Sequence, residues 1–254
     1  MCRFRRFRRF QPRVVVHGIT ADTYAQMETL MKPQRAYQLK IVLGVLMLLG
    51  AYCAGSGRVD LWPGWCYAAF FLVTFAVSYS IAIRVAPDLI VERVSWDTGV
   101  KRWDRPIVSF LMFGPILTCL VAGLDARRNG VHAADFKVVL GYVLALAGSA
   151  LTQTAMAVNR FYAPVVRIQK DRGHKVVDSG PYRLVRHPGN MGNLILNVAA
   201  PLMLASDWVW IPAVVFSALT IVRTMLEDRT LRLELPGYTA FAERTRSRLI
   251  PGVW

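Results

Sequence analysis

Acidic residues are scarce in this chain: 16 Asp and Glu stand against 31 Lys and Arg, for a formal charge of +15. Cysteine and histidine are scarcer, with four of each. Cys2, Cys53, Cys66 and Cys119 form no Cys-x-x-Cys pair and no Cys/His cluster with metal-ligand spacing, and the last three lie inside apolar runs. That pattern argues against a disulfide framework and a zinc site and reads the thiols as small buried hydrophobes. No RNA- or DNA-reading motif is present, and the basic residues sit between apolar runs, so the positive charge is not a nucleic-acid footprint. A signal peptide is not expected either, because the first apolar run starts some way into the chain and no small-residue cleavage site follows it closely.

What is abundant is apolar surface. Hydrophobic residues make up 54% of the 254 positions and the mean hydropathy is +0.35, high for a soluble protein. The apolar residues gather into runs at 39–56, 64–86, 107–124, 136–158, 190–205 and 208–226. The first four are each near the roughly 20 residues that cross a hydrocarbon core. The expected fold is all-α and membrane-integral, with about six transmembrane helices, the last two joined through Ser206 and Asp207 as a tight hairpin. Lys and Arg crowd segments 84–105, 160–186 and 223–248 and are sparse near Arg58 and at 206–207. By the positive-inside rule both termini then face the cytoplasm, as in a multi-pass protein of a bacterial inner membrane. The link holding Arg127, Arg128 and Lys137 runs against this, though Asp125 and Asp135 accompany them.

Three regions follow: a basic tail over 1–38, transmembrane helices over 39–158, and a polar and helical region over 159–254. In the tail, Phe4, Phe7 and Phe10 alternate with arginines, which suits either a short helix lying on anionic headgroups or a disordered basic segment. Ser149, Thr152, Gln153 and Met156 fall on one face of the fourth run, and Asn193 and Asn197 are a turn apart in the fifth. Polar groups at such depth face the bundle interior, where helix-to-helix hydrogen bonding explains them at least as well as ligand binding.

The chemistry concentrates in "NRFYAPVVRIQKDRGHKVVDSGPYRLVRHPGN", residues 159–190. A link of that length is longer than a plain connection needs, and its Ser-Gly-Pro and Arg-His-Pro-Gly punctuation predicts ordered turns and a proline-led helix start. Free backbone N–H groups at that helix tip, with His187 beside them, suit an anionic or carboxylate-bearing ligand. Further on, Arg223 and Glu227 share a helix face at the end of the last run, open to reading as a site or as a structural ion pair.

Taken together, "GHKVVDSGPYRLVRHP" (173–188), "RTMLEDRTL" (223–231), "PGYTAFAERTRSRLIPGVW" and, earlier, "KRWDRP", "AGLDARR" and "VVRIQKDRGH" resemble the isoprenylcysteine carboxyl methyltransferase family, bacterial members included. The family lies within the integral membrane methyltransferases, beside the phospholipid N-methyltransferases. The resemblance runs from about residue 92 to the end; the first two runs match only in being hydrophobic. It implies an enzyme that takes S-adenosylmethionine from the cytosol and methylates a lipidic or amphiphilic substrate arriving from the bilayer. Cofactor contacts carried over from the family fall on Gln169, His174, Lys175, Val176, Val177, Tyr182, His187, Pro188, Gly189, Asn190 and Glu227, and the substrate-orienting arginine falls on Arg223. Arg223 and Glu227 are thus the expected catalytic pair, with no metal. Two departures stand out: Asn190 where the family commonly has tyrosine, and Glu227-Asp228 where it has Glu-Glu.

The chemistry agrees with this assignment. S-adenosylmethionine carries a sulfonium, an ammonium and a carboxylate, so its pocket needs an acid and anion donors. An ionised carboxylate acceptor needs positioning but no general base, and Arg223 suits a bidentate grip on it. An amine acceptor, as in a phospholipid N-methyltransferase, would need His187 or Glu227 as base. The remaining alternative is a non-enzymatic membrane protein whose basic loops bind anionic lipid around a decayed site.

Overall fold

The structure is a computed structural model, and it describes residues 21–85, 90, 99–131 and 135–254, with side chains from residue 34 onward. The arginine–phenylalanine stretch of the tail lies outside the described residues. Seven α-helices are described: α1 (Ala21–Ser56), α2 (Trp62–Val85), α3 (Asp104–Asn129), α4 (Phe136–Val158), α5 (Pro188–Met203), α6 (Trp210–Glu234) and α7 (Tyr238–Arg244). No strand occurs among the described residues.

Five helices, counting α1 from Gln34, are long and apolar enough to cross a membrane: α1, α2, α3, α4 and α6. The expected sixth span is α5, whose 16 residues reach about 24 Å, short of a hydrocarbon core of about 30 Å. Much of the bundle's outer face is apolar. Phe113 is 60% exposed, Val139 64% and Ile211 70%, as side chains facing lipid must be. The protein is an all-α integral membrane protein.

Local signals set the helix ends. Asp135 caps α4 by accepting from the backbone N–H groups of Lys137 and Val138 at 2.9 and 3.3 Å. Pro188 opens α5, as the Arg-His-Pro-Gly pattern predicts. Small residues let helices close on one another. A Cβ on Gly55 of α1 would stand 2.5 Å from the Leu120 carbonyl of α3, and one on Gly148 of α4 would stand 2.8 Å from the Gly192 carbonyl of α5.

The α5–α6 turn is fixed by a buried acid. Asp125 Oδ2 accepts from Ser206 Oγ at 2.6 Å and from the Trp208 N–H at 3.3 Å, and Ala205 takes a left-handed φ of 48°. The aspartate that accompanies the exceptional basic link therefore belongs to the bundle's interior and not to a solvated loop.

Helix α6 continues through Glu234, well past the apolar run that ends at 226, because Thr224, Asp228 and Thr230 are buried against neighbouring segments. Its last two turns thus stand among the loops at the basic end of the bundle. This extension brings Arg223, Glu227 and Asp228 to the site.

Candidate functional site

The link 159–187 is ordered by contacts made turn by turn. Asn159 ends α4, and its Oδ1 accepts from the Phe161 N–H at 2.9 Å. The chain then runs beside 101–104: Lys101 N–H donates to the Val166 carbonyl at 3.1 Å, and Asp104 Oδ2 accepts from Val166 N–H at 2.6 Å. A short 3₁₀ turn over Lys170–Arg172 closes at Gly173, whose φ of 64° suits glycine. A second over Gly180–Arg183 carries Tyr182. Arg186 and His187 then donate their backbone N–H groups to the Ser247 and Arg248 carbonyls, both at 3.0 Å, so the C-terminal segment clasps the start of α5.

Two buried aspartates organise this end. Asp104, fully buried, accepts from Arg223 Nε at 2.8 Å and Nη2 at 3.3 Å. Arg223 Nη2 also donates to the Pro164 carbonyl at 3.0 Å. Asp228, 1% exposed, accepts from Arg186 Nε and Nη2 at 2.7 and 3.2 Å, from Arg232 and Arg248 Nε at 3.2 and 3.1 Å, and from the Tyr238 hydroxyl at 2.9 Å. Arg186 adds bonds to the Thr245 and Arg246 carbonyls. In the sequence Arg186 is one basic residue among those of segment 160–186, and Asp228 is the departure from the family's Glu-Glu. The structure makes them the junction of the loop, α6, α7 and the C-terminal segment. Adjacency of an arginine to His187 and of an aspartate to Glu227 is the only sign of this in the sequence.

Behind the junction lies a cavity of about 690 Å³. Of the expected site residues, Gln169, His174, Lys175, Val176, Val177, Tyr182, His187, Gly189, Asn190, Arg223 and Glu227 all line it. Pro188 is buried but is not in the wall, and neither is Asp228. The cavity continues between α1, α2 and α3 past Gly44, Phe71 and Met112, so its polar end opens into an apolar chamber.

Arg223 and Glu227 share the wall without forming the structural ion pair that their spacing allowed. Arg223 bonds to Asp104, and its Nη1 has no partner among the described residues. Glu227, with a side chain 25% exposed, accepts from Asn190 Nδ2 at 2.9 Å. Asn190, where the resemblance led us to expect tyrosine, thus binds the acid directly.

His187 faces both ways. The single Tyr238 hydroxyl proton is given to Asp228, so the Nε2 edge of His187, 3.3 Å from Asp228 Oδ1 and 3.2 Å from the Tyr238 oxygen, must be the donor. Its Nδ1 faces Glu227 Oε2 at 3.7 Å.

Gln169 is spent on the loop. Its Nε2 donates to the Phe161 carbonyl at 2.7 Å and its Oε1 accepts from Arg172, so its side chain shapes the wall more than it offers free groups. Tyr182 accepts from Asn159 Nδ2 at 3.0 Å, and burial raises its phenol above the ordinary range, keeping it neutral.

His174 stacks on Phe161, with centroids 4.7 Å apart, and accepts from the Gln169 N–H at 3.3 Å. Burial, then Arg167 and Arg172, hold its pKa below the usual 6.5. The unfolded chain therefore takes up a proton that the folded loop resists. Loop stability is full above pH 6.5 and falls as the pH drops from there toward the depressed folded value. Hydrogen exchange at 169–174 should accelerate over that window, and His174→Gln should flatten the dependence.

The fold and cavity define an integral membrane protein with a polar, acid-bearing site at the basic end of its helices. Residues 139–233, from α4 to nearly the end of α6, match the isoprenylcysteine carboxyl methyltransferase (ICMT) family. Two curated proteins, from Oryza sativa subsp. indica and subsp. japonica, each named "Probable protein-S-isoprenylcysteine O-methyltransferase", are 35% identical over 72 residues. The match spans 28% of this chain and 38% of each relative's length. Over this region the chain is similar to the isoprenylcysteine carboxyl methyltransferase family, and it spans well under half the length of the curated relatives it matches. The matched region holds the link 159–187, α5, Arg223 and Glu227; the helices α1 to α3 that wall the apolar chamber lie outside it.

Proposed function

We propose that this protein is a membrane-embedded, S-adenosylmethionine-dependent methyltransferase that esterifies the carboxylate of an amphiphile taken from the bilayer. The basic end of the bundle faces the cytosol in this reading, with both termini there. The observation that carries it is the Glu227 carboxylate, partly exposed on the wall of a cavity that continues into an apolar chamber, held by Asn190 Nδ2 at 2.9 Å and facing His187. Such an acid fits an ammonium or sulfonium group. The N–H groups of Gly189 and Asn190, in a first helical turn with no side-chain cap, fit a carboxylate beside it. The donor set thus matches the cofactor's charges, with Tyr182, Val176 and Val177 as wall for its adenine.

Bound S-adenosylmethionine supplies an electrophilic methyl group on its sulfonium, whose sulfur keeps the electron pair of the broken S–CH₃ bond as a neutral thioether. The protein's part is alignment and exclusion of water. Arg223, fixed by Asp104 on one edge, presents its Nη1 edge to the acceptor carboxylate, one oxygen of which becomes the ester oxygen. No proton has to move, so Arg223 acts by orientation and charge.

A second reading, methylation of a phospholipid amine, is favoured by His187 alone, whose Nδ1 could take the proton that an amine must lose. The product separates the two. Methyl from labelled S-adenosylmethionine should be released as methanol by mild base if it is an ester and retained if it is an N-methyl group. Failure of the purified protein to bind S-adenosylmethionine in calorimetry would instead favour a non-enzymatic lipid-binding protein.

Because Asp104 is buried, removing Arg223 alone would strand a charge, so the test pairs Arg223→Gln with Asp104→Asn. The double variant should keep its S-adenosylmethionine affinity while turnover falls roughly 100-fold, the scale of losing one preorganised charge contact. Equal loss of both would make Arg223 purely structural.

A further inference from the structure

The polar residues inside the bundle divide into two kinds. Thr152 and Gln153 of α4 behave as helix-to-helix ties: Thr152 Oγ1 donates to the Gly189 carbonyl at 3.4 Å, and Gln153 Nε2 donates to Ser78 Oγ at 2.6 Å and the Thr74 carbonyl at 3.2 Å. Asn193 and Asn197 of α5 do not. Both line the cavity, and neither side chain has a hydrogen-bond partner among the described residues. With Asn190 they stand at i, i+3 and i+7, one face of α5, so the three carboxamides run about 10 Å along the wall from Glu227 inward. The Oε1 of Gln153 on α4, a residue that also lines the cavity, is buried and unbonded. Exchanging its O and N assignments would only move the unmet end.

Asn193 is exposed and Asn197 half-buried, both on the wall of a chamber lined further in by apolar side chains, where carboxamides without protein partners are costly. Leucine or alanine would line a chamber meant for plain hydrocarbon at no such cost, as Leu196 and Ala200 do on the same face. We propose that Asn193 and Asn197 form a hydrogen-bonding subsite for the acceptor's chain, so that the preferred substrate is an amphiphile with a hydroxyl or amide group inward of its reacting end. The inference rests on the methyltransferase reading for where the reacting end lies. It adds that the chain beyond that end is polar at a fixed position.

The test uses the full chain in nanodiscs and direct binding of tritiated ligands over empty nanodiscs. One series is hexadecanoic acid with a single hydroxyl moved stepwise along the chain; a second is hexadecanol treated the same way. Within each series, one hydroxyl position should bind on the order of tenfold tighter than the unsubstituted parent, the worth of one or two net hydrogen bonds. Asn193→Leu and Asn197→Leu should flatten that preference without weakening the parent, a ratio that general damage to the fold would not move. The comparison between series reads the carboxylate separately: acids binding no better than alcohols would sink the role of Arg223 and leave the hydroxyl preference to be judged on its own. No preferred position in either series, or a preference that survives both leucine variants, overturns the subsite.

Discussion

Asp228→Ala is expected to lower the stability of the basic end of the protein by about 3–5 kcal/mol, the scale of breaking a buried ion pair from one side. Arg186 and Asp228 are each only 2% exposed at the side chain, so the orphaned guanidinium has no water to turn to. The loss should be local first. The C-terminal segment is held to the start of α5 by Arg186 bonding the 245 and 246 carbonyls and by Arg248 on the same carboxylate, so it should become the first target of protease. Thermal unfolding in detergent and limited proteolysis check this together. Asp60→Ala serves as control: its pair with Arg58 is exposed on both sides and its loss should leave the unfolding temperature unchanged. Asp228→Glu tests geometry at constant charge. The extra methylene must enter a carboxylate site bonded at both oxygens, so a smaller loss of about 1–3 kcal/mol is expected. An unchanged Asp228→Ala protein would show that the junction does not hold the site together.

Much of this architecture is legible in the chain because membrane insertion writes a coarse code. Long apolar runs, basic links and the Arg-His-Pro-Gly start of α5 give the helices and place the ordered loop between two of them. The length of α6 is not legible, because its last two turns are polar and are kept helical by burial against segments far away in sequence. The same cause hides Asp104. An aspartate between basic residues reads as a solvated loop position until the fold brings Arg223 to it across 119 residues. Asn193 and Asn197 show the opposite limit: their spacing is plain in the sequence, but whether they bond to a neighbouring helix or stand open in a cavity depends on which face α5 turns to α4.

Glu227→Gln separates charge from shape at the cofactor end. The carboxamide oxygen introduced by that change can still accept from Asn190 Nδ2, now 2.9 Å from the carboxylate, so the local packing and the wall of the cavity should persist. What disappears is the negative charge that makes this end of the cavity attractive to a cation. Charge-assisted hydrogen bonds are worth roughly 1.5–3 kcal/mol, so S-adenosylmethionine affinity should fall about 10- to 100-fold in calorimetry while the unfolding temperature stays near that of the parent. Glu234→Gln offers the matched control, because that acid pairs with Lys101 away from the cavity wall and its neutralisation should not move the affinity. The order of the two effects is informative. If Glu227→Gln weakened binding only as much as Glu234→Gln, the attraction would be a diffuse field of the basic end, and the cation would have to sit elsewhere. If it weakened binding alone and left the hydroxyl preference of the acceptor chain intact, the polar end and the carboxamide face would be two separable parts of one cavity: one reads the cofactor's charge, the other the substrate's chain.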